Sequence, residues 1–246
     1  MTRPTPWYQL DIRCGHPHIG IRTVLFLVVL FFLGHATHAQ TYFQQEVNHD
    51  IHVKLDDREH ILSAHQTIHY TNNSPDTLPV LWFHLWPNAY SGRNTALNRQ
   101  LLQNDDVSLH FAIKNKMGWL DSLSFIVDGT SLRFNLGQEN PDICKVFLSE
   151  PILPGASIRL DIPFRVVLPY ADISRMGHLD QSYHVTQWYP KPAVYDNKGW
   201  HPMPNIDQGE FYSEFGEFNV HITLPENYVV GATGNLVNSD RELEML

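Results

Sequence analysis

The chain has 246 residues, 43% hydrophobic and 12% aromatic, which supports a folded core and excludes a disordered polymer. Its 17 Lys and Arg against 26 Asp and Glu give a net charge of -9, which argues against a general nucleic-acid binder, because that function needs a basic face.

Residues 23 to 34, Thr-Val-Leu-Phe-Leu-Val-Val-Leu-Phe-Phe-Leu-Gly, form the long apolar run. Arg22 precedes it, and Thr37-His38-Ala39 offers small residues where a signal peptidase reads. The pattern predicts a signal peptide over 1–39, cleaved after Ala39, and an exported product, periplasmic or extracellular. A membrane anchor is the alternative, but the apolar core is about 12 residues where roughly 20 are needed to span a bilayer. The stretch before the run is long for a signal, so a start downstream of Met1 or partial retention stays open. Cleavage would remove Cys14 and leave Cys144 alone, without an intramolecular disulfide.

Beyond the signal the chain reads as short strands. Over 47–55, Val47, Ile51, Val53 and Leu55 share one face, and Asp56-Asp57-Arg58-Glu59 is the turn. A returning strand spans 61–71 and ends at the turn cluster Asn72-Asn73-Ser74-Pro75-Asp76. A third, more buried strand covers 77–86 and stops at Pro87. Residues 88–120 break the pattern and predict an insertion with one or two short helices, Asn94–Gln103 being the helix-compatible part. Strands resume at 121–127 and 131–136 around Asp128-Gly129, and continue at 143–148 and 157–168. After a loop at 169–181 come strands from Ser182, at Glu217–Leu224 and at Tyr228–Ala232, with a strand end at Leu236–Asn238. Turn signals every 8 to 12 residues predict an all-β fold, a sandwich or curved antiparallel sheets with a short helical insertion. One domain, 40–238, is the simplest division, and 239–246 reads as a truncated tail.

The stretch Ser182–Tyr195 carries the strongest site signal. As a strand it puts Tyr183, Val185 and Gln187 on one face and His184, Thr186 and Trp188 on the other. Pro190 and Pro192 then forbid central-strand pairing. A polar Gln187 and large aromatics therefore sit where a rigid sheet gives way to a loop, either as a packed β-corner or as the rim of a cleft. Trp200-His201-Pro202-Met203-Pro204 is a second such cluster.

Other chemistry is weak. His65-Gln66-Thr67-Ile68-His69 has the outer spacing of H-E-x-x-H, which works because i and i+4 stack on a helix face. On a strand these positions lie about 13 Å apart, too far to share one zinc at about 2.1 Å. His49 and His52 point to opposite strand faces. No Gly-x-Ser-x-Gly elbow and no phosphate-binding glycine loop occur. Cys144 reads as core. Asp180, Asp196, Asp207, Glu210, Glu214 and Glu217 surround the aromatic loops, and the sequence does not select a pair among them. Neither a catalytic residue nor a metal ligand is assigned.

Thr186-Gln187-Trp188-Tyr189-Pro190, Gly199-Trp200-His201-Pro202 and Gly216-Glu217-Phe218-Asn219-Val220-His221-Ile222-Thr223-Leu224-Pro225 resemble the end of the N-terminal domain of aminopeptidase N-family zinc metallopeptidases. The exported bacterial members with a Gln-Trp-Tyr-Pro signature are the most alike. Tyr70–Leu78 and Phe83–Tyr90 resemble that domain's early strands, so the resemblance runs over roughly 41–238. It implies a saddle-like, mostly antiparallel β-domain that packs on a thermolysin-like catalytic domain and closes one side of a peptide-substrate cleft. It also implies that Gln187 is substrate-binding, near the residue before the scissile bond. Tyr189 stands where many members place a Glu that holds the substrate's free amine. The family's Gly-x-Met-Glu-Asn and H-E-x-x-H motifs do not occur up to Leu246. The expectation is a non-catalytic domain with no cofactor of its own, whose zinc belongs to the intact enzyme. The alternative is a stand-alone exported β-sandwich module that binds peptide or carbohydrate on Trp188, Tyr189, Tyr195 and Trp200.

Overall fold

The computed structural model describes residues 42–173 and 175–238. The signal expected at 1–39 and the tail at 239–246 lie outside the described residues.

The first two strands, β1 (Glu46–Asp56) and β2 (Ile61–Thr71), pair antiparallel along their whole length. Their alternation is the reason. Val47, His49, Ile51, Val53 and Leu55 from β1 and Leu62, Gln66, Ile68 and Tyr70 from β2 are buried, while the alternate positions of β1 and most of those of β2 reach solvent. At the far end of this hairpin Asn72 is fully buried and satisfied. Its amide donates to the carbonyls of Asp76 at 2.7 Å and Ile152 at 3.1 Å, and its oxygen accepts from Ser74. That is how the polar turn cluster closes without an orphaned polar group.

The third strand, β3, covers Leu78–His84. Pro87 does more than stop it: Trp86–Tyr90 forms a buried 3-10 turn with the proline at its start. Asn88, inside that turn, donates to the Pro141 carbonyl and accepts from the Leu120 amide. The expected insertion follows, with helix α1 (Ala96–Gln103) capped by the Thr95 hydroxyl, which accepts from the Asn98 amide at 3.2 Å.

The stretch expected as one strand over 121–127 is split. β4 covers Trp119–Asp121 and β5 covers Ile126–Val127, with Ser122 at φ 52 between them. β6 (Thr130–Ser131) returns through Asp128-Gly129, both at positive φ (48 and 76), the conformation a tight hairpin turn requires. Then follow β7 (Phe134–Leu136), β8 (Ile143–Ile152) and β9 (Ser157–Val167). The loop expected over 169–181 contains β10 (Gly177–Leu179), paired with β11 (Ser182–His184). The short strands β12 (Lys191–Pro192), β13 (Tyr195–Asp196) and β14 (Gly199–Trp200) precede β15 (Phe218–Thr223).

Two sheets carry the core. One has the order β15-β1-β2-β9-β5-β6, with β4 also on β9; the other has the order β12-β3-β8-β7. Their apolar faces meet through Ile68, Leu160, Ile162 and Val166 from the first and Leu81, Phe83, Cys144 and Val146 from the second. Phe125 packs on Phe83 at 4.7 Å between ring centres. The fold is all-β and sandwich-like, as expected. Among the described strands, β15 departs from the antiparallel rule by lying parallel to β1. Residues 228–232 and 236–238 form no strand, because Val229, Val230, Leu236 and Val237 find no sheet edge and stay exposed.

Candidate functional site

The alternation expected through Gln187 ends at His184, where β11 stops. Gln187 itself adopts φ 52, a left-handed conformation uncommon for a side chain with a Cβ. That bend turns the chain so that Gln187 Oε1 accepts a 2.6 Å hydrogen bond from Lys191 Nζ. Lys191 opens β12, an edge strand, opposite His84 of β3. Pro192 is tolerated there because an edge has no second partner for the missing N–H.

Lys191 is the centre of the site. It is 9% exposed, and its ammonium lies 4.8 Å from the Trp86 ring centre and 5.3 Å from that of Tyr189. An amide oxygen and two aromatic faces thus replace the water it loses. Burial still penalises the charge and lowers its pKa to about 8.

Around it is a small cleft of about 20 Å³, room for about one water molecule, lined by Val47, His49, Tyr189, Lys191, Pro192, Ser213, Glu214 and Phe218. His49 stacks on Phe218 at 4.4 Å and meets Tyr189 edge-on at 5.6 Å. Its Nδ1 lies 2.7 Å from Gln66 Nε2. Burial first, and the Lys191 charge second, hold its pKa down to about 4, so it is neutral at pH 7. Burial pushes the Tyr189 hydroxyl up to about 12 and the Glu214 carboxyl up to about 6. The amides of Tyr195 and Gln45 and the Gln44 side chain pull Glu214 the other way. Glu214 Oε1 and Ser213 Oγ are buried without a hydrogen-bond partner. The cleft therefore offers a cation, a carboxylate oxygen and a hydroxyl against aromatic walls. In a space of about one water molecule those groups can make polar contact with a single small group at the cleft mouth, and no nucleophile–base pair is assembled among these lining residues.

Of the two residues singled out from the sequence, Tyr189 lines the cleft and Gln187 reaches it through Lys191. Among the six acidic candidates, Glu214 enters the cleft. Asp196 instead pairs with His201 at 2.7 Å, and the Asp207 carbonyl accepts from Arg175. The second aromatic-proline cluster is structural. The Met203 carbonyl accepts from Trp86 Nε1, and the Met203 amide donates to His84 Nε2. Trp188, Tyr195 and Trp200 are half-buried against the core. Cys144 is core, its thiol pushed up to about 12 by burial. Lys191 was not singled out from the sequence, His49 was weighed there only as a metal ligand, and Glu214 was one of six undistinguished carboxylates. They meet because β1, β12 and the segment before β15 converge, and only the Lys191 spacing to Gln187 was local.

His65 and His69 lie four residues apart on β2, both outward. At about 3.3 Å per residue they cannot close on one ion, so a zinc site of the H-E-x-x-H kind does not fit this pair.

No family profile matches the chain, and no curated protein matches it. Among solved structures, a mutant M1 zinc metallopeptidase from Deinococcus radiodurans bound to a Tyr-Ser-Ala substrate is similar at 16% identity and TM-score 0.45. The match covers 79% of this chain and 36% of that one. Another structure of an M1 zinc metallopeptidase from that organism gives 15% identity and TM-score 0.42 over 78% and 35%. An aminopeptidase N family protein from Idiomarina loihiensis gives 14% identity and TM-score 0.29 over 58% and 19%. The chain spans about a third of the length of the Deinococcus structures.

Proposed function

We propose that this chain is the non-catalytic N-terminal β-domain of an exported zinc metallopeptidase of the aminopeptidase N type. In the intact enzyme Gln187 and Tyr189 line the peptide-substrate cleft, and zinc and its bound water belong to a separate catalytic domain that packs against this one. The motifs quoted from the sequence suggest the family. The observation that carries the reading is the bare inner face of β15.

Phe218, Val220 and Ile222 stand opposite His49, Ile51 and Val53, the core-facing side of β1. Their β1 partners are buried, yet these three are 45%, 44% and 44% exposed. A core face without a cover is a docking surface awaiting a second body. Phe218 also lines the cleft, so that second body would wall it. The rival platform of Trp188, Tyr189, Tyr195 and Trp200 needs open ring faces, and all four are packed against the core.

The test is turnover of aminoacyl anilides. This chain alone, with or without zinc, gives none. The same domain joined to an H-E-x-x-H catalytic domain gives zinc-dependent turnover, and Gln187→Ala lowers its kcat/KM by roughly tenfold, the scale of one lost hydrogen bond to substrate. Zinc-dependent turnover by this chain alone removes the reading.

A further inference from the structure

We propose that Asp50, His52 and His221 form a surface site for a divalent first-row transition ion of the zinc or copper class. Asp50 and His52 are two residues apart on β1 and share its outer face. β15 runs parallel beside it, in a register that sets His221 directly opposite His52. His52 Nε2 lies 3.1 Å from Asp50 Oδ1, and His221 Nε2 lies 3.8 Å from Asp50 Oδ2. The three ligand atoms all fall within 4.8 Å of one another. Ligands held at about 2.1 Å around a tetrahedral ion sit about 3.4 Å apart, so small rotamer changes would close this set on a metal.

The rings of His52 and His221 are stacked at 4.2 Å and 7° between planes. Both imidazoles therefore present an edge to the same carboxylate from adjacent, hydrogen-bonded strands, which is a rigid mount for ligands. Two imidazole nitrogens and one carboxylate oxygen suit zinc, copper or nickel better than magnesium or calcium, which prefer all-oxygen sets. All three side chains reach solvent, so water can complete the coordination. The site lies on the opposite face of β1 from His49 and the cleft, and it stands or falls independently of the peptidase reading.

The ion would also staple two strands. β15 is held in its sheet by β1 alone. A ligand shared between them and absent from the unfolded chain adds to stability.

The experiment uses the untagged full chain. Zn2+ titration followed by calorimetry should show one equivalent in the parent that is lost, or weakened at least tenfold, in His52→Gln and in His221→Gln. His184→Gln, on β11, should leave it unchanged. Cu2+ electron paramagnetic resonance of the parent should show coupling to two imidazole nitrogens, and to one in either variant. Zn2+ should raise the thermal midpoint of the parent and not of His221→Gln. Far-UV circular dichroism checks that the exposed-strand variants are folded. Identical Zn2+ isotherms for parent and both variants, or a Cu2+ spectrum unchanged by either substitution, would reduce the cluster to an exposed histidine–carboxylate pair and overturn the proposal.

Discussion

Lys191 is a cation held by neutral neighbours: the Gln187 amide oxygen at 2.6 Å and the rings of Trp86 and Tyr189. Its folded pKa is about 8 against the 10.5 usual for a lysine. Below pH 8 the folded and unfolded states are both protonated, and the full penalty of the buried charge is present. Between about pH 8 and 10.5 the unfolded state keeps the proton that the folded state has lost, so stability rises with pH. The window is worth on the order of 3 kcal/mol at about 1.4 kcal/mol per unit. Unfolding by urea at several pH values, parent against Lys191→Met, isolates the effect because other groups cancel. The parent should gain on the order of 2–3 kcal/mol relative to the variant between pH 8 and 10.5. A difference flat across that range would mean the ammonium is solvated. The same residue shows what a sequence conceals. Gln187 drew notice because a glutamine amid aromatics and prolines is conspicuous. Lys191, four positions on, was not singled out, because its burial depends on Trp86, about a hundred residues away in the chain.

At the scale of elements, long alternating or apolar strands announced themselves, and the very short ones did not. β1, β2 and β9 alternate over eleven residues each, and their ends fall within a residue or two of the alternating stretches. The Asp128-Gly129 turn was equally plain. The Ser122 break, the stop at His184 and the coil at 228–232 were not, since apolar residues mark a strand only where a partner edge exists. The parallel seat of β15 on β1 was likewise hidden, because the two strands are separated by most of the domain. What seats β15 is Gly216. A Cβ there would lie 1.7 Å from the Val47 carbonyl oxygen, and the atom it meets is backbone that cannot swing aside. Next to it the Glu217 amide donates to Asn48 Oδ1 at 2.9 Å, and the His49 amide donates to the Glu217 carbonyl at 2.8 Å. Gly216→Ala should therefore detach β15 while the β1–β2–β9 ladder persists. Hydrogen exchange should show faster exchange in 217–223 by at least tenfold, with protection of 61–71 unchanged. Unchanged protection of β15 would mean the strand can shift to make room.

For the whole molecule the decisive quantity is apolar surface left in water. Phe215, Phe218, Val220, Ile222, Val229, Val230, Leu236 and Val237 are all exposed, and they cluster in one stretch of chain from 215 to 237. Scattered exposed apolar residues are ordinary, but a strand whose inner row continues the buried row of its neighbour is not. The hydrophobic effect acts on that row whatever surface is at hand to cover it. The isolated chain should therefore associate with itself or with dyes that seek apolar surface. Replacing Val220 and Ile222 by Thr keeps β-branched strand formers and removes apolar surface. That double variant should sediment as a monomer at concentrations where the parent does not, with a urea midpoint close to the parent's. Ile51→Thr, one strand inward, is the contrast. Its side chain is already buried, so the hydroxyl meets no water and the variant should lose on the order of 2 kcal/mol without gaining solubility. If Val220 and Ile222 proved as costly to replace as Ile51, the inner face of β15 would already be covered in solution. The docking surface on which the peptidase-domain reading rests would then not exist.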